Sequence, residues 1–268
     1  MSGPRVWPVF LAYLLAFTGV VAFSVAAAIV VRALYPDVPE REVFDALPGL
    51  LAGGIASSLA LVTTLLSVNR PFDLARLRLK PGRETGTALG VMILGTLALG
   101  QALDSLTILA DLGNRGAMAS IRRALEGAVG PELFVAVIVI GLMAGSAEEA
   151  FFRGYMQTHL AARWPTPLAV VVTSLAFALL HLEWIHALLA LALGLWLGFI
   201  TERARSALPA VVCHVVNNAL FTLLTATLGT VDDPPTNAML AAGAAAVFAA
   251  CVVWLMLWRP PTAVPAPP

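Results

Sequence analysis

Eight near-continuous apolar stretches divide this chain, and no other feature restricts its fold as much. They lie near residues 7–31, 47–68, 86–108, 133–152, 167–182, 184–201, 207–229 and 236–258. A helix that spans a bilayer needs roughly 20 mostly apolar residues. Within lipid every backbone N–H and C=O must be paired inside the segment, which leaves helices as the economical solution. The expected fold class is therefore all-α: a polytopic membrane helix bundle of about eight transmembrane helices. The fifth stretch is the weakest, being short and followed almost at once by the sixth. The first is too long for a signal-peptide core, has no credible cleavage site, and reads as a retained anchor.

Composition agrees. Charged residues make up only 12% of the 268 positions, against about 25% in soluble domains, and the mean hydropathy is +0.88. The formal net charge is zero, so nothing points to a nucleic-acid partner, and the expected surroundings are membrane lipid. The length suits one bundle with no sizeable soluble domain beside it. Cys213 and Cys251 sit in apolar runs and form neither a disulfide framework nor a CxxC metal knuckle.

Orientation follows from the basic residues of the short loops. Residues 69–85 carry Arg70, Arg76, Arg78, Lys80 and Arg83, whereas residues 34–46 carry Asp37, Glu40, Glu42 and Asp45 against Arg41 alone. The first loop is thus expected outside and the second inside. Alternation then puts Arg163, Arg203, Arg205 and Arg259 on the cytoplasmic face and Asp232 and Asp233 outside, with both termini cytoplasmic. The chain reads as a multi-pass integral protein, of the cell membrane if the source is prokaryotic. Residues 72–80 suit either a short amphipathic segment on the anionic leaflet or a solvated connecting loop. Gly49 with Gly53, and Gly194 with Gly198, give the small-xxx-small spacing that lets helices approach closely. The Pro-rich tail from Arg259 reads as disordered.

Ionisable residues within a span cost about 2.5–3.5 kcal/mol each on insertion scales and persist where they pair or work. Here they concentrate between residues 148 and 218. In Glu148-Glu149-Ala-Phe-Phe-Arg153, Glu149 and Arg153 share a helix face and can pair. Glu148 points about 100° away and is left as a spare carboxylate of the kind a general base requires. Taken alone, these charges equally suit an inner interface where long side chains snorkel. His181 closes the run Phe177-Ala-Leu-Leu-His181; a lone histidine in an apolar helix is more often a hydrogen-bonded core residue than a catalyst. His214 and Asn218, one turn apart in His214-Val-Val-Asn-Asn218, project into one site, although such a pair can also simply join helices. Asn217, at i+3, is expected to cap or pack. Glu183, Trp184 and His186 read as a polar turn at the outer interface, since His181-x-Glu183-x-x-His186 lacks the i, i+4 spacing of a zinc helix. His159 and Arg163 read as interfacial, and Gln101 and Asp104 as secondary polar contacts. Gly145-Ser146 is too bare for a serine nucleophile. Helical rise puts His181 roughly 20 Å from the inner end of its helix but His214 only about 10 Å, so these boundaries do not yet bring the two together.

Glu-Glu-x-x-x-Arg, Phe-x-x-x-His and His-x-x-x-Asn on successive helices resemble the CAAX prenyl protease 2 family and its bacterial relatives, the CPBP (CAAX protease and bacteriocin-processing) intramembrane endopeptidases. Each motif alone is weak; their order and spacing in a polytopic chain are specific. The resemblance covers about residues 133–229, dividing the chain into N-terminal transmembrane helices (1–132), a CPBP-like catalytic core (133–229), and a last transmembrane helix with the tail (230–268). It implies hydrolysis of a peptide bond in a membrane-associated peptide or protein, prenylated CAAX tails being the eukaryotic case. Glu148 would be the base, His181 would hold the water, and His214 and Asn218 would stabilise the oxyanion, with Glu149, Arg153 and Phe177 in support. The cofactor stays open: Glu148, His181 and His214 could bind zinc with one position free, or a metal-free glutamate mechanism could use the same residues. From another class, a non-catalytic scaffold or transporter-like bundle, for instance one conferring bacteriocin immunity, would keep the cluster for packing or proton handling. An enzyme of the same fold acting on something other than a peptide is a third reading.

Overall fold

A computed structural model describes residues 6–259, and all regular structure among them is helical. The helices are α1 (Trp7–Leu34), α2 (Glu40–Phe44), α3 (Leu47–Val68), α4 (Gly86–Leu109), α5 (Gly116–Leu125), α6 (Gly130–Ala161), α7 (Thr166–Leu179), α8 (Trp184–Ala204), α9 (Leu208–Leu228) and α10 (Pro234–Leu257). Seven of them, α1, α3, α4, α6, α8, α9 and α10, are long and apolar enough to cross a membrane. The eighth expected span is α7, whose 14 residues rise only about 21 Å, short of the ~30 Å hydrocarbon core. The Pro-rich tail beyond Arg259 lies outside the described residues.

Two boundaries differ from expectation for the same reason. The fourth span was expected to stop near residue 152, but α6 continues to Ala161. Arg153 and Gln157 do not end it, because both side chains are wholly buried against α8: Arg153 donates to the Gly194 carbonyl and Gln157 to the Gly198 carbonyl. A polar residue that faces protein does not terminate a membrane helix. Residues 72–80 likewise find protein partners: they form turns tied to α8 and the α8–α9 connection, while Phe72 and Leu74 stay exposed. Leu77 is fully buried, Arg78 pairs with Glu202 at 2.7 Å, and the Arg78 and Lys80 carbonyls accept from Ser206. The amphipathic helix α5, which no apolar run announced, packs on α3, α8 and α9.

Small residues set how closely the helices approach. On α1 the stripe Val9, Ala12 and Ala16 is buried, while Leu11, Leu14, Val25 and Ile29 remain more than half exposed and face lipid. Added methyls would meet close neighbours at Gly194, 3.1 Å from the Arg153 guanidinium, and at Gly198, 2.8 Å from both Val170 Cγ1 and Gln157 Oε1. The Gly49–Gly53 pair behaves otherwise. Gly49 fits under the backbone of Phe44 in α2, Gly53 faces open space, and it is Gly54 that meets α6 at Val139. Overpacking a tight contact costs about 1–3 kcal/mol. Gly198→Ala is therefore expected to lower the thermal unfolding midpoint in detergent by several degrees, whereas Gly243→Ala, where a Cβ meets open space, leaves it unchanged.

Candidate functional site

Helix α6 carries the site on a short α-helical turn, Gly145–Glu149, held between two π-helical stretches, Val137–Ala144 and Ala150–Gln157. Wide π turns shift the residues that follow them around the helix and recur at functional sites. The preceding glycines let α9 come close. A Cβ on Gly145 would lie 3.2 Å from the Val215 nitrogen, and one on Gly141 3.1 Å from Ala219 Cβ. This antiparallel register brings His214 level with Glu148 and Glu149, and Asn218 level with Ile140.

The register also resolves the mismatch in depth. Helix α9 begins inside the protein, because the α8–α9 connection is buried at Ser206 and Ala207 and hydrogen-bonded to the 69–85 segment. Helix α7 starts from the exposed residues Pro165 and Thr166, whereas α9 starts from this buried connection, so the two do not start from a common plane and counting residues from a shared surface places His214 too shallow.

Glu149 is wholly buried, and its Oε1 accepts from Arg153 Nη1 at 2.7 Å and from His214 Nδ1 at 2.8 Å. Arg153 reaches on to the Gly194 carbonyl at 3.1 Å and lies over the Phe177 ring, 4.7 Å from its centroid. A buried charge is tolerated only when paired and hydrogen-bonded, and here one carboxylate answers both a guanidinium and an imidazole. The expected Glu149–Arg153 pair thus has a third member, His214, which spacing along a single helix could not reveal.

With Nδ1 committed to Glu149, His214 turns Nε2 towards Glu148, whose Oε2 lies 3.7 Å away. That is too long for a direct hydrogen bond, and both groups line a cavity of about 560 Å³. His181 and Asn218 line the same cavity, so the structure gathers Glu148, His181, His214 and Asn218 around one space. His181 stands just beyond α7 and donates from Nδ1 to the Phe177 carbonyl at 3.0 Å. Asn218 donates to the Ile140 carbonyl in the first π stretch at 3.3 Å, and Asn217 also faces the cavity. The remaining wall is mostly apolar, and Met118, Ile121 and Arg122 of α5 roof one end. Arg122 fastens α5 to α4 through Asp104 and donates to the Gly113 carbonyl at 3.0 Å. Gln101 and Asp104 both line the cavity. Arg122 went unread in sequence, although Ala119, Arg122 and Leu125 mark the buried stripe of α5.

The turn 180–183 extends one expectation. Glu183 is the N-cap of α8, accepting from Ile185 N–H at 2.9 Å and His186 N–H at 3.0 Å, and Trp184 is 60% exposed. Burial pushes the Glu183 carboxyl upward, but donors from Ile185, His186 and Ala117 hold it below the usual glutamate range. His186 does more than belong to that polar turn: it lines the cavity beside His181. His159 instead bonds its own helix, donating to the Tyr155 carbonyl.

The donor set does not suit a metal in this arrangement. Among the described residues no three His, Cys, Asp or Glu side chains converge as a metal ion would need.

Residues 130–220 match the family model described as type II CAAX prenyl endopeptidase, Rce1-like. The match begins at the first residue of α6, ends within α9, and takes in Glu148, Glu149, Arg153, Phe177, His181, His214 and Asn218; α1–α5 and α10 fall outside it. No curated protein and no solved structure matches the chain. Residues 130–220 of this multi-pass membrane protein are therefore a domain of the Rce1-like type II CAAX prenyl endopeptidase family.

Proposed function

We propose that this protein is an intramembrane endopeptidase in which Glu148 activates water against a peptide bond of a membrane-associated substrate, a prenylated CAAX-type tail being one candidate. The observation that carries this reading is the convergence of Glu148, His181, His214 and Asn218 on one cavity, with Glu149 and Arg153 buried behind them. Glu148 is the one carboxylate of the group that faces the cavity with its oxygens free of an ion pair to arginine, which suits a base. Water held between Glu148 and His181 loses its proton to Glu148 as its oxygen attacks the carbonyl carbon. The oxyanion is received by Asn218 Nδ2 and, when that nitrogen carries a proton, by His214 Nε2. Glu148 then returns the proton to the amine as the C–N bond breaks. Glu149 and Arg153 keep His214 oriented without touching substrate. Residues 133–229 form the catalytic core in this reading, preceded by the N-terminal transmembrane helices (1–132) and followed by the last transmembrane helix with the tail (230–268).

The basic residues of the 69–85 connection support an orientation with both termini in the cytoplasm, in which α7 together with the turn 180–183, bonded to Ala117 of α5, carries the chain back to the exterior side before α8, so that α5 lies at the exterior face. In whole cells an impermeant maleimide is then expected to label Asp232→Cys and to spare Lys80→Cys, both exposed positions. The reverse pattern inverts the topology.

Cleavage of quenched lipidated and unlipidated membrane peptides by the purified protein tests the chemistry. Glu148→Gln is expected to abolish turnover, and Asn218→Ala to lower kcat by about 10²–10³ with KM little changed, as for loss of one oxyanion donor. A chelator is expected to leave the rate unaltered. Cleavage that survives in both Glu148→Gln and His214→Ala would sink this site and favour the scaffold reading. Breaking a buried ion pair by removing one partner costs about 3–5 kcal/mol. Arg153→Met should therefore unfold at markedly lower temperature, with much of the loss recovered in the double variant Glu149→Gln/Arg153→Met.

A further inference from the structure

His186 lies five residues after His181, a separation that a continuous helix would put about 140° apart at 100° per residue. The chain between them is not a continuous helix. Leu182 stands at φ 59°, in the left-handed region that non-glycine residues rarely occupy, and it reverses the backbone between α7 and α8. Such a conformation persists only where its surroundings over-determine it, and here they do. The Glu183 N–H donates to the His181 carbonyl at 2.7 Å, while the Glu183 carboxylate holds the Ile185 and His186 N–H groups and reaches Ala117 of α5.

The turn returns the His186 ring onto the His181 ring, edge to face, with centroids 4.2 Å apart and planes at 63°. On its other side His181 meets the Phe177 ring at 4.9 Å and 84°. His181 itself lies beyond the last residue of α7, so no following helical turn restrains it. Its Nδ1 carries the hydrogen given to the Phe177 carbonyl, and in the neutral ring Nε2 keeps the lone pair. Where Nε2 points therefore depends on that one hydrogen bond and on the two rings packed against the imidazole.

We infer that His186 is a positioning residue: its ring, packed edge to face on His181, fixes the imidazole so that Nε2 addresses the cavity beside Glu148. This rests on the reading of His181 as the water-holding histidine. His186 lies within the matched stretch but belongs to none of its three motifs. A general base or water ligand misplaced by about 1 Å can cost on the order of 10²-fold in rate, so an aromatic clasp on a residue outside a helix has a direct consequence for turnover.

The test compares His186→Phe, which keeps a ring, with His186→Leu, which keeps bulk and helix compatibility but has none. The protein has four histidines, so ¹⁵N-histidine NMR in nanodiscs can follow the His181 tautomer in each variant, assigned with His181→Gln. The wild type and His186→Phe are expected to show His181 as a single Nδ1–H tautomer, and His186→Leu an averaged one. In peptide cleavage His186→Leu should lose about tenfold or more in kcat with KM unchanged, and His186→Phe should recover most of it. If both variants keep the single tautomer, or both lose it, the positioning role is overturned, and this holds even if no peptide is cut. Cleavage retained in His181→Gln would instead count against His181 as the water ligand, whatever the tautomer in the His186 variants. Circular dichroism and gel filtration admit only folded variants to the comparison.

Discussion

The bundle is organised around one buried carboxylate. Glu149 accepts from Arg153 on its own helix and from His214 on α9, with no exposure to water. Each charge here would be prohibitive alone in an apolar interior, so the three side chains stand or fall together. That interdependence ties α6 to α9 and, through the Gly194 carbonyl, to α8. Phe177 of α7 closes the group from the side under the guanidinium. Four helices are thus locked by a single polar cluster, which suits a membrane interior, where apolar contacts alone discriminate poorly between protein and lipid.

Around that cluster the irregularities of the helices serve the cavity. The π-helical stretches of α6 bracket the turn that bears Glu148 and Glu149 and leave the Ile140 carbonyl for Asn218. Gly141 and Gly145 admit α9 to near-backbone contact and so determine which residues of the two helices face each other. The shortness of α7 puts His181 in the turn ahead of α8, where its ring lines the cavity. Helix α5 then roofs the space, held by Arg122 on Asp104 and by Glu183 on Ala117.

The cavity combines a mostly apolar wall with a few polar groups, the composition common to binding sites in general. Glu148 and Glu149 show how environment separates two adjacent carboxylates. A rotation of one residue gives Glu149 to a permanent ion pair and leaves Glu148 facing open volume. The pairing of Glu149 with Arg153 is local, whereas the freedom of Glu148 is a property of the packed bundle.

Much of this was legible in the chain alone. The apolar stretches required a helical membrane protein, because lipid offers no partner for an unpaired backbone. The spacing of Glu149 with Arg153, and of His214 with Asn218, assigned each pair to one helix face. Contacts between helices could not be read from spacing within them. The His214–Glu149 bond, the depth at which α9 begins, the extension of α6 past Arg153, and the return of His186 onto His181 all depend on register between elements distant in sequence or on a backbone reversal. Local pattern decided which residues are polar and which face they share; tertiary packing decided which of them meet, because a buried polar group is satisfied by whatever partner the fold brings within reach.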